Sequence, residues 1–213
     1  RLSTAVERST AGTPLLDVTV EWEYTTVPSG SERRFACVSD RATYNALVMD
    51  TPITTTWLMT PRPGMDAASR RCFELLSFTV DGEDMPIRRT EHEGGQTYIV
   101  DASVAAAAGN PVRIRHVYRT VTPAWGHRIY VELPQPARGF SFDLDYTNTS
   151  IDSVSVTDMA ANGRAAQIVP SPKRAAGRSL SLRAPGWLLS KSGFAIVWTL
   201  EDELPQSERS EAA

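Results

Sequence analysis

Lysine is nearly missing from this 213-residue chain: Lys173 and Lys191 are the only two among 22 basic residues, and arginine supplies the rest. The skew reads as genomic composition rather than chemistry. With 25 acidic residues the net charge is −3. That balance excludes the broad basic field which nucleic acid or an anionic membrane usually demands. Only two cysteines occur, Cys37 and Cys72, too few for a disulfide framework or a thiolate metal site. They are expected as buried free thiols, with one disulfide between neighbouring strands as the alternative. The three histidines, His92, His116 and His127, show neither H-x-H nor H-x-x-x-H spacing, and no zinc site is expected.

Other absences narrow the function. No apolar run approaches the length needed to cross a bilayer, and no signal peptide opens the chain, so a cytoplasmic location is expected. The chain starts at Arg1, which suggests an excised domain or processed product of a larger protein. There is no G-x-S-x-G elbow, no motif setting a cysteine beside a base and no glycine-rich phosphate loop. No cofactor is expected. Asn148-Thr-Ser150 matches a glycosylation acceptor but carries no weight without a secretory signal.

What is present is strand pattern. Residues 18–27 read V-T-V-E-W-E-Y-T-T-V and residues 112–121 read V-R-I-R-H-V-Y-R-T-V. Val18, Val20, Tyr24, Thr26 and Val27 fall opposite Val112, Ile114, Tyr118, Thr120 and Val121. A third run, Phe194–Trp198, again follows a glycine. A repeated unit dictates architecture, and the expectation is all-β: two antiparallel sandwich units in tandem from an internal duplication, with one short helix. The boundaries are a flexible arm at 1–14, a first unit at 15–110, a second at 111–200 and a flexible tail at 201–213. One large sandwich or barrel is the alternative.

Individual elements follow from period and punctuation. Val18, Val20, Trp22 and Tyr24 alternate with Asp17, Thr19, Glu21 and Glu23, the mark of a strand with one wet face. Phe73–Val80 runs into Asp81-Gly82, a tight hairpin turn. Phe140, Phe142, Leu144 and Tyr146 alternate with Ser141, Asp143 and Asp145. The expected helix is the alanine run after Asp101, with Gly109 as its stop. Residues 40–49 read either as a short helix capped by Ser39 or Asp40 or as loop and strand. The strand at 112–121 is expected to pair with Arg128–Leu133, setting Tyr118 opposite Ile129, His116 opposite Val131 and Arg115 against Glu132.

Three sets of side chains are candidates for function. Trp125, in the tip Thr122–His127, and Trp187, in Ala184–Leu189, are expected as half-buried loop aromatics forming a contact surface. Arg113, Arg115 and Arg119 share a strand face, with Arg128 expected near Arg119. That stripe suits an acidic peptide or a phosphorylated ligand, unless it pairs with Glu21, Glu23 or Glu132. His116, on the apolar face, reads as a satisfied core or rim histidine beside the stripe. Asp143 and Asp145, on one strand face, offer an alternative catalytic pair, read mainly as a solvated face. The basic group of Lys173, Arg174, Arg178, Arg183 and Lys191 lacks an aromatic stacking platform for nucleic acid.

The function expected is a non-catalytic sensing, regulatory or protein-interaction module. Its partner is a protein or a small polar or anionic ligand, with a homo-oligomer possible. The alternative is a hydrolase or lyase acting on a sugar or nucleotide through the two aspartates.

Overall fold

The computed structural model describes residues 1–8, 14–50, 54–158, 167–170 and 177–204. Its strands, in chain order, are β1 (Leu2–Arg8), β2 (Leu15–Thr26), β3 (Glu32–Val38), β4 (Thr54–Leu58), β5 (Phe73–Val80), β6 (Glu83–Asp84), β7 (Ile87–His92) and β8 (Gly95–Asp101). They continue with β9 (Val112–Pro123), β10 (Arg128–Glu132), β11 (Ala137–Asn148), β12 (Ile151–Asp158), β13 (Gln167–Pro170), β14 (Ser179–Leu188) and β15 (Gly193–Leu200). Among the described residues there are two short α-helices, α1 (Arg41–Val48) and α2 (Ser103–Ala108). The fold is all-β, as the alternation requires.

The chain divides into two compact units. Unit 1 comprises Arg1–Leu2 and Thr19–Val121, and unit 2 comprises Ser3–Val18 and Thr122–Ala213. Apart from Val18 and Val27, the two similar segments become β2 and β9, neighbouring strands of one sheet within unit 1. They do not head one unit each, as the duplication reading expects. Two adjacent strands that bury the same face against the same core need the same alternation, which accounts for their likeness.

In unit 1, β2, β9, β5 and β6 follow one another in one sheet, and β4, β3, β8 and β7 form a second. The β5–β6 hairpin turns where expected, with φ of 49° at Asp81 and 90° at Gly82, the geometry of a tight primed turn. Helix α2 ends at Gly109 in the left-handed conformation, and Asp101 accepts from the Ser103 amide at 2.8 Å. The ambiguous run at 40–49 is helical. Asp40 caps α1 by accepting from the Thr43 amide at 2.6 Å, which satisfies one of the orphan donors of a helix start. β3 and β4 run parallel, from Arg34 opposite Thr54 to Val38 opposite Leu58.

In unit 2, β13, β14, β11 and β1 follow one another in one sheet, and β10, β15 and β12 make a three-stranded sheet. Within the expected arm, Leu2, Thr4 and Val6 are buried along β1. The inward row includes a threonine, so its alternation is weak in the sequence. The tail from 205 onward lies outside the described residues. β9 does not pair with β10. It takes β5, with Ile114 opposite Val80 and Thr120 opposite Phe73, while β10 takes β15, with Arg128 opposite Val197 and Glu132 opposite Gly193. A 3-10 turn at Ala124–Gly126 and a left-handed His127, φ 53°, redirect the chain between them. Gly193 allows the close approach of β15, since a Cβ there would lie 2.0 Å from the Val131 carbonyl oxygen.

Among the described residues, no helix is long and apolar enough to cross a membrane.

Candidate functional site

The arginine stripe of β9 is engaged within unit 1. Arg113 pairs with Glu23 at 2.8 Å, Arg115 with Glu21 at 2.7 Å and Arg119 with Glu74 at 2.9 Å. The Arg115 guanidinium holds the Glu21 carboxyl below its ordinary range. Glu132 meets Lys191 at 3.1 Å instead of Arg115, because β10 went elsewhere. Arg128 belongs to β10 of unit 2, with its guanidinium 5.6 Å from the centre of the Tyr130 ring.

His116 is buried inside unit 1 among aromatic rings. Its ring centre lies 5.0 Å from Phe35, 5.9 Å from Phe78, 6.0 Å from Tyr24 and 6.3 Å from Tyr118. Burial first, and the nearby Arg33 charge second, push its pKa down to about 3. Nδ1 has no hydrogen-bond partner among the described residues, so this is a core histidine but not a satisfied one. The cage excludes it from a contact surface with the stripe.

The cysteines are both free and buried. Desolvation, then the neighbouring Cys72 and Asp66, push Cys37 up to about 12, far from thiolate chemistry. His92 is exposed in its turn, with Nδ1 3.3 Å from the Glu93 carbonyl. Asp143 is held by Ser181 at 2.7 Å and Arg183 at 3.2 Å, partners supplied by β14. Asp145 accepts from the Thr147 amide at 2.9 Å. Both aspartates serve local structure. Among the described residues, no group of three or more His, Cys, Asp or Glu is placed to hold a metal.

One network had no sequence signal. Gln96, fully buried, donates to the carbonyls of Ala67 and Ser69 at 2.9 Å each, and its Oε1 accepts from Arg89 at 2.8 Å and Tyr98 at 3.0 Å. Arg89 also donates to the Ala68 carbonyl at 2.6 Å. These bonds clamp the loop before Cys72 onto β7 and β8. Their work is structural: each named group of Gln96 is satisfied.

Unit 2 presents a different surface. Trp125 lies on the 3-10 turn and is 48% exposed, Tyr130 on β10 is 57% exposed and Trp187 on β14 is 61% exposed. The turn under Trp125 is bolted in place. Trp198 Nε1 donates to the Ala124 carbonyl at 2.8 Å, and the Trp198 amide donates to the His127 carbonyl at 3.0 Å. His127 Nε2 is 3.1 Å from Glu203. Trp187 is in a strand, not a loop. β14 runs on through Pro185 and Gly186 because the β11 register shifts between Arg138 and Phe140, and a bulge tolerates a proline that lacks an amide.

The register of the three-stranded sheet sorts its faces. Arg128, Val197 and Ser155 form one row across it, and Tyr130, Ala195 and Thr157 the next. All but Ala195 are exposed. Behind them Ile196, Phe194 and Trp198 are buried. The outer face therefore combines an aromatic ring, a guanidinium and a row of hydroxyls on rigid strands.

No protein-family model matches the chain, and no curated protein matches it. Among solved structures, the chain is similar to a crystal structure from Parabacteroides distasonis named as a "putative protease", with a TM-score of 0.52 and 9% sequence identity. The match covers 94% of this chain and 39% of that one, so the chain spans about two fifths of that protein's length. The likeness extends to the fold alone.

Proposed function

We propose that this chain is a non-catalytic interaction module of a larger protein, with its contact surface on unit 2. One observation carries the reading: every exposed Trp, Tyr or Phe among the described residues, namely Trp125, Tyr130 and Trp187, belongs to unit 2. Large rigid aromatics at a surface contribute contact area at little conformational cost, and interfaces are enriched in them. The groups with catalytic potential are meanwhile committed to structure. His116 is caged, Cys37 is held as a thiol, and Asp143 and Asp145 are hydrogen-bonded to neighbours. The aspartate-based hydrolase reading has no observation in its favour. A peptidase reading, after the neighbour's name, could point to the Ser181 hydroxyl on Asp143 at 2.7 Å, but Arg183 also holds that carboxylate at 3.2 Å, which favours its charged, proton-free form and weakens it as a base.

The test is comparative affinity capture from a cell extract with three proteins: the native chain, the double variant Trp125→Ala/Trp187→Ala, and the triple variant Arg113→Ala/Arg115→Ala/Arg119→Ala. The expected result is a captured set lost by the tryptophan variant and kept by the arginine variant, with unchanged circular dichroism. Full retention by the tryptophan variant overturns the proposed surface.

A further inference from the structure

β10 is an outer strand of its three-stranded sheet, and its register shows which backbone groups point away from β15. The Trp198 amide donates to the His127 carbonyl at 3.0 Å, and the Leu133 amide to the Ser192 carbonyl at 2.9 Å. In an antiparallel pair such hydrogen-bonded positions alternate. Positions 127 and 133 fix the odd positions, hence also Ile129 and Val131, as those facing β15. Arg128, Tyr130 and Glu132 therefore direct their N–H and C=O groups toward the open edge. Among the described residues no further strand pairs there.

The segment along that edge, Arg128-Ile-Tyr-Val-Glu132, is complementary to its own reverse. We propose that β10 pairs antiparallel with β10 of a second copy about a two-fold axis at Tyr130, joining two three-stranded sheets into one of six. This rests on the interaction reading only in taking unit 2 as the contact unit. Arg128 then faces Glu132 of the second copy, Ile129 faces its Val131, and Tyr130 faces its Tyr130.

Three properties of the strand select this register. A one-residue shift would set outward-facing backbone groups against inward-facing ones, so only even shifts make hydrogen bonds. A two-residue shift in either direction takes Arg128 away from Glu132 and sets a charged side chain against Tyr130. The centred register matches both charges, and it closes roughly six backbone hydrogen bonds across the axis. Charged residues on an edge strand commonly protect it from pairing. Here their opposite signs at equal distances from Tyr130 penalise the shifted registers and favour the symmetric one. Arg128, Tyr130 and Glu132 are all exposed on one face, and Glu132, which meets Lys191 at 3.1 Å in its own chain, has to share that contact with Arg128 of the second copy. A two-fold contact of this kind is self-limiting, since it consumes the edge that makes it.

Sedimentation velocity of the full chain over a wide concentration range tests this. The native protein is expected to show a concentration-dependent dimer. Arg128→Glu or Glu132→Arg alone sets like charges opposite one another twice and is expected to weaken the dimer about tenfold or more. Arg128→Glu/Glu132→Arg together restore complementarity and are expected to restore dimerisation. In a separate arm, Tyr130→Cys under mild oxidation is expected to give a disulfide-linked dimer that reductant separates. A monomer at every concentration overturns the proposal, as do single variants that dimerise like the native chain or a double variant as weak as the singles. A monomer that takes up an extended peptide along β10 overturns it too. If the dimer is absent while capture through Trp125 and Trp187 persists, this inference fails and the proposed function stands. If the β10 dimer forms while capture from the extract is indifferent to the tryptophans, the dimer stands and the proposed contact surface fails.

Discussion

In unit 1, Phe35, Phe73, Phe78, Tyr98 and Tyr118 are buried and close around His116 and the half-buried Trp57, whereas unit 2 leaves Trp125, Tyr130 and Trp187 roughly half exposed or more. Both units own buried cores, and in unit 2 Phe140, Phe142, Phe194 and Trp198 fill one. The difference is what each does with the aromatics beyond that. Unit 1 packs them inward: Trp57 lies 4.6 Å from Tyr118, edge-on, and 5.2 Å from Phe73, tilted, between ring centres. It also commits its charged strand face to pairs with Glu21, Glu23 and Glu74. Unit 2 keeps rigid rings at its surface, over a turn and strands fixed from beneath. A ring buried in a core contributes to stability, and the proposed contact surface would use the same kind of ring for binding.

That contrast predicts unequal losses for equal truncations. Phe73 is fully buried and touches Trp57, Tyr98 and Tyr118. Phe73→Ala removes a large side chain from a packed site and leaves a cavity, at about 3–5 kcal/mol. Trp187→Ala removes a larger side chain from an exposed position and is expected to lower stability by less than ~1 kcal/mol. Urea unfolding of both variants decides it. Comparable losses would mean that Trp187 is a core residue and that the comparison between the units is mistaken.

A second way to sharpen the contrast uses the imidazole inside the aromatic cage of unit 1. The folded pKa of His116, about 3, lies below its ordinary value of 6.5. Between those values the unfolded chain binds a proton that the folded chain refuses. The folded state is therefore favoured fully above about pH 6.5 and loses stability as pH falls toward 3, by about 1.4 kcal/mol per pH unit. His116→Phe removes both the titration and the unpartnered Nδ1. It is expected to stabilise the protein at neutral pH by ~1 kcal/mol and to flatten the acid limb of the stability curve. Denaturant titrations from pH 7 down to pH 4, native against variant, measure the difference. An unchanged slope would show that the ring is hydrated or partnered in solution.

How far the sequence reveals this design depends on the range over which each feature is decided. β11 was legible because Phe140, Phe142, Leu144 and Tyr146 alternate without interruption, and all four are buried. The Asp81-Gly82 turn was legible because two adjacent positive φ angles select those residue types. The partner of β9 was not legible. Ile114, His116 and Tyr118 would accept either an apolar row from β10 or one from β5, and the choice falls to the rings that must close around them. β14 was hidden by Pro185-Gly186, which reads as a break unless the opposite strand is known to bulge at Gly139. Trp125 and Trp187 were legible as candidate contacts, but Tyr130 gained its place only when β10 paired with β15. In the arginine stripe, Glu21 and Glu23 were legible as partners of Arg115 and Arg113, but Glu74 was not, because β5 meets Arg119 only through the β5–β9 pairing.

The stripe gives the smallest expected effect and the clearest control. Arg115 reaches Glu21 at 2.7 Å, yet both side chains remain at least one-third exposed, at 41% and 33%. Water screens such a pair, and its net contribution is typically below ~1 kcal/mol. Arg115→Ala is therefore expected to shift the unfolding midpoint slightly, and less at high salt than at low salt, because screening already weakens what the substitution removes. Unfolding curves at two ionic strengths test this. A loss well above ~1 kcal/mol that salt does not reduce would show that packing of the arginine stem, rather than its charge, holds β2 and β9 together. A negligible loss of stability joined to a large loss of captured protein would move the contact surface from unit 2 to the β9 face of unit 1, and with it the division of labour between the two units.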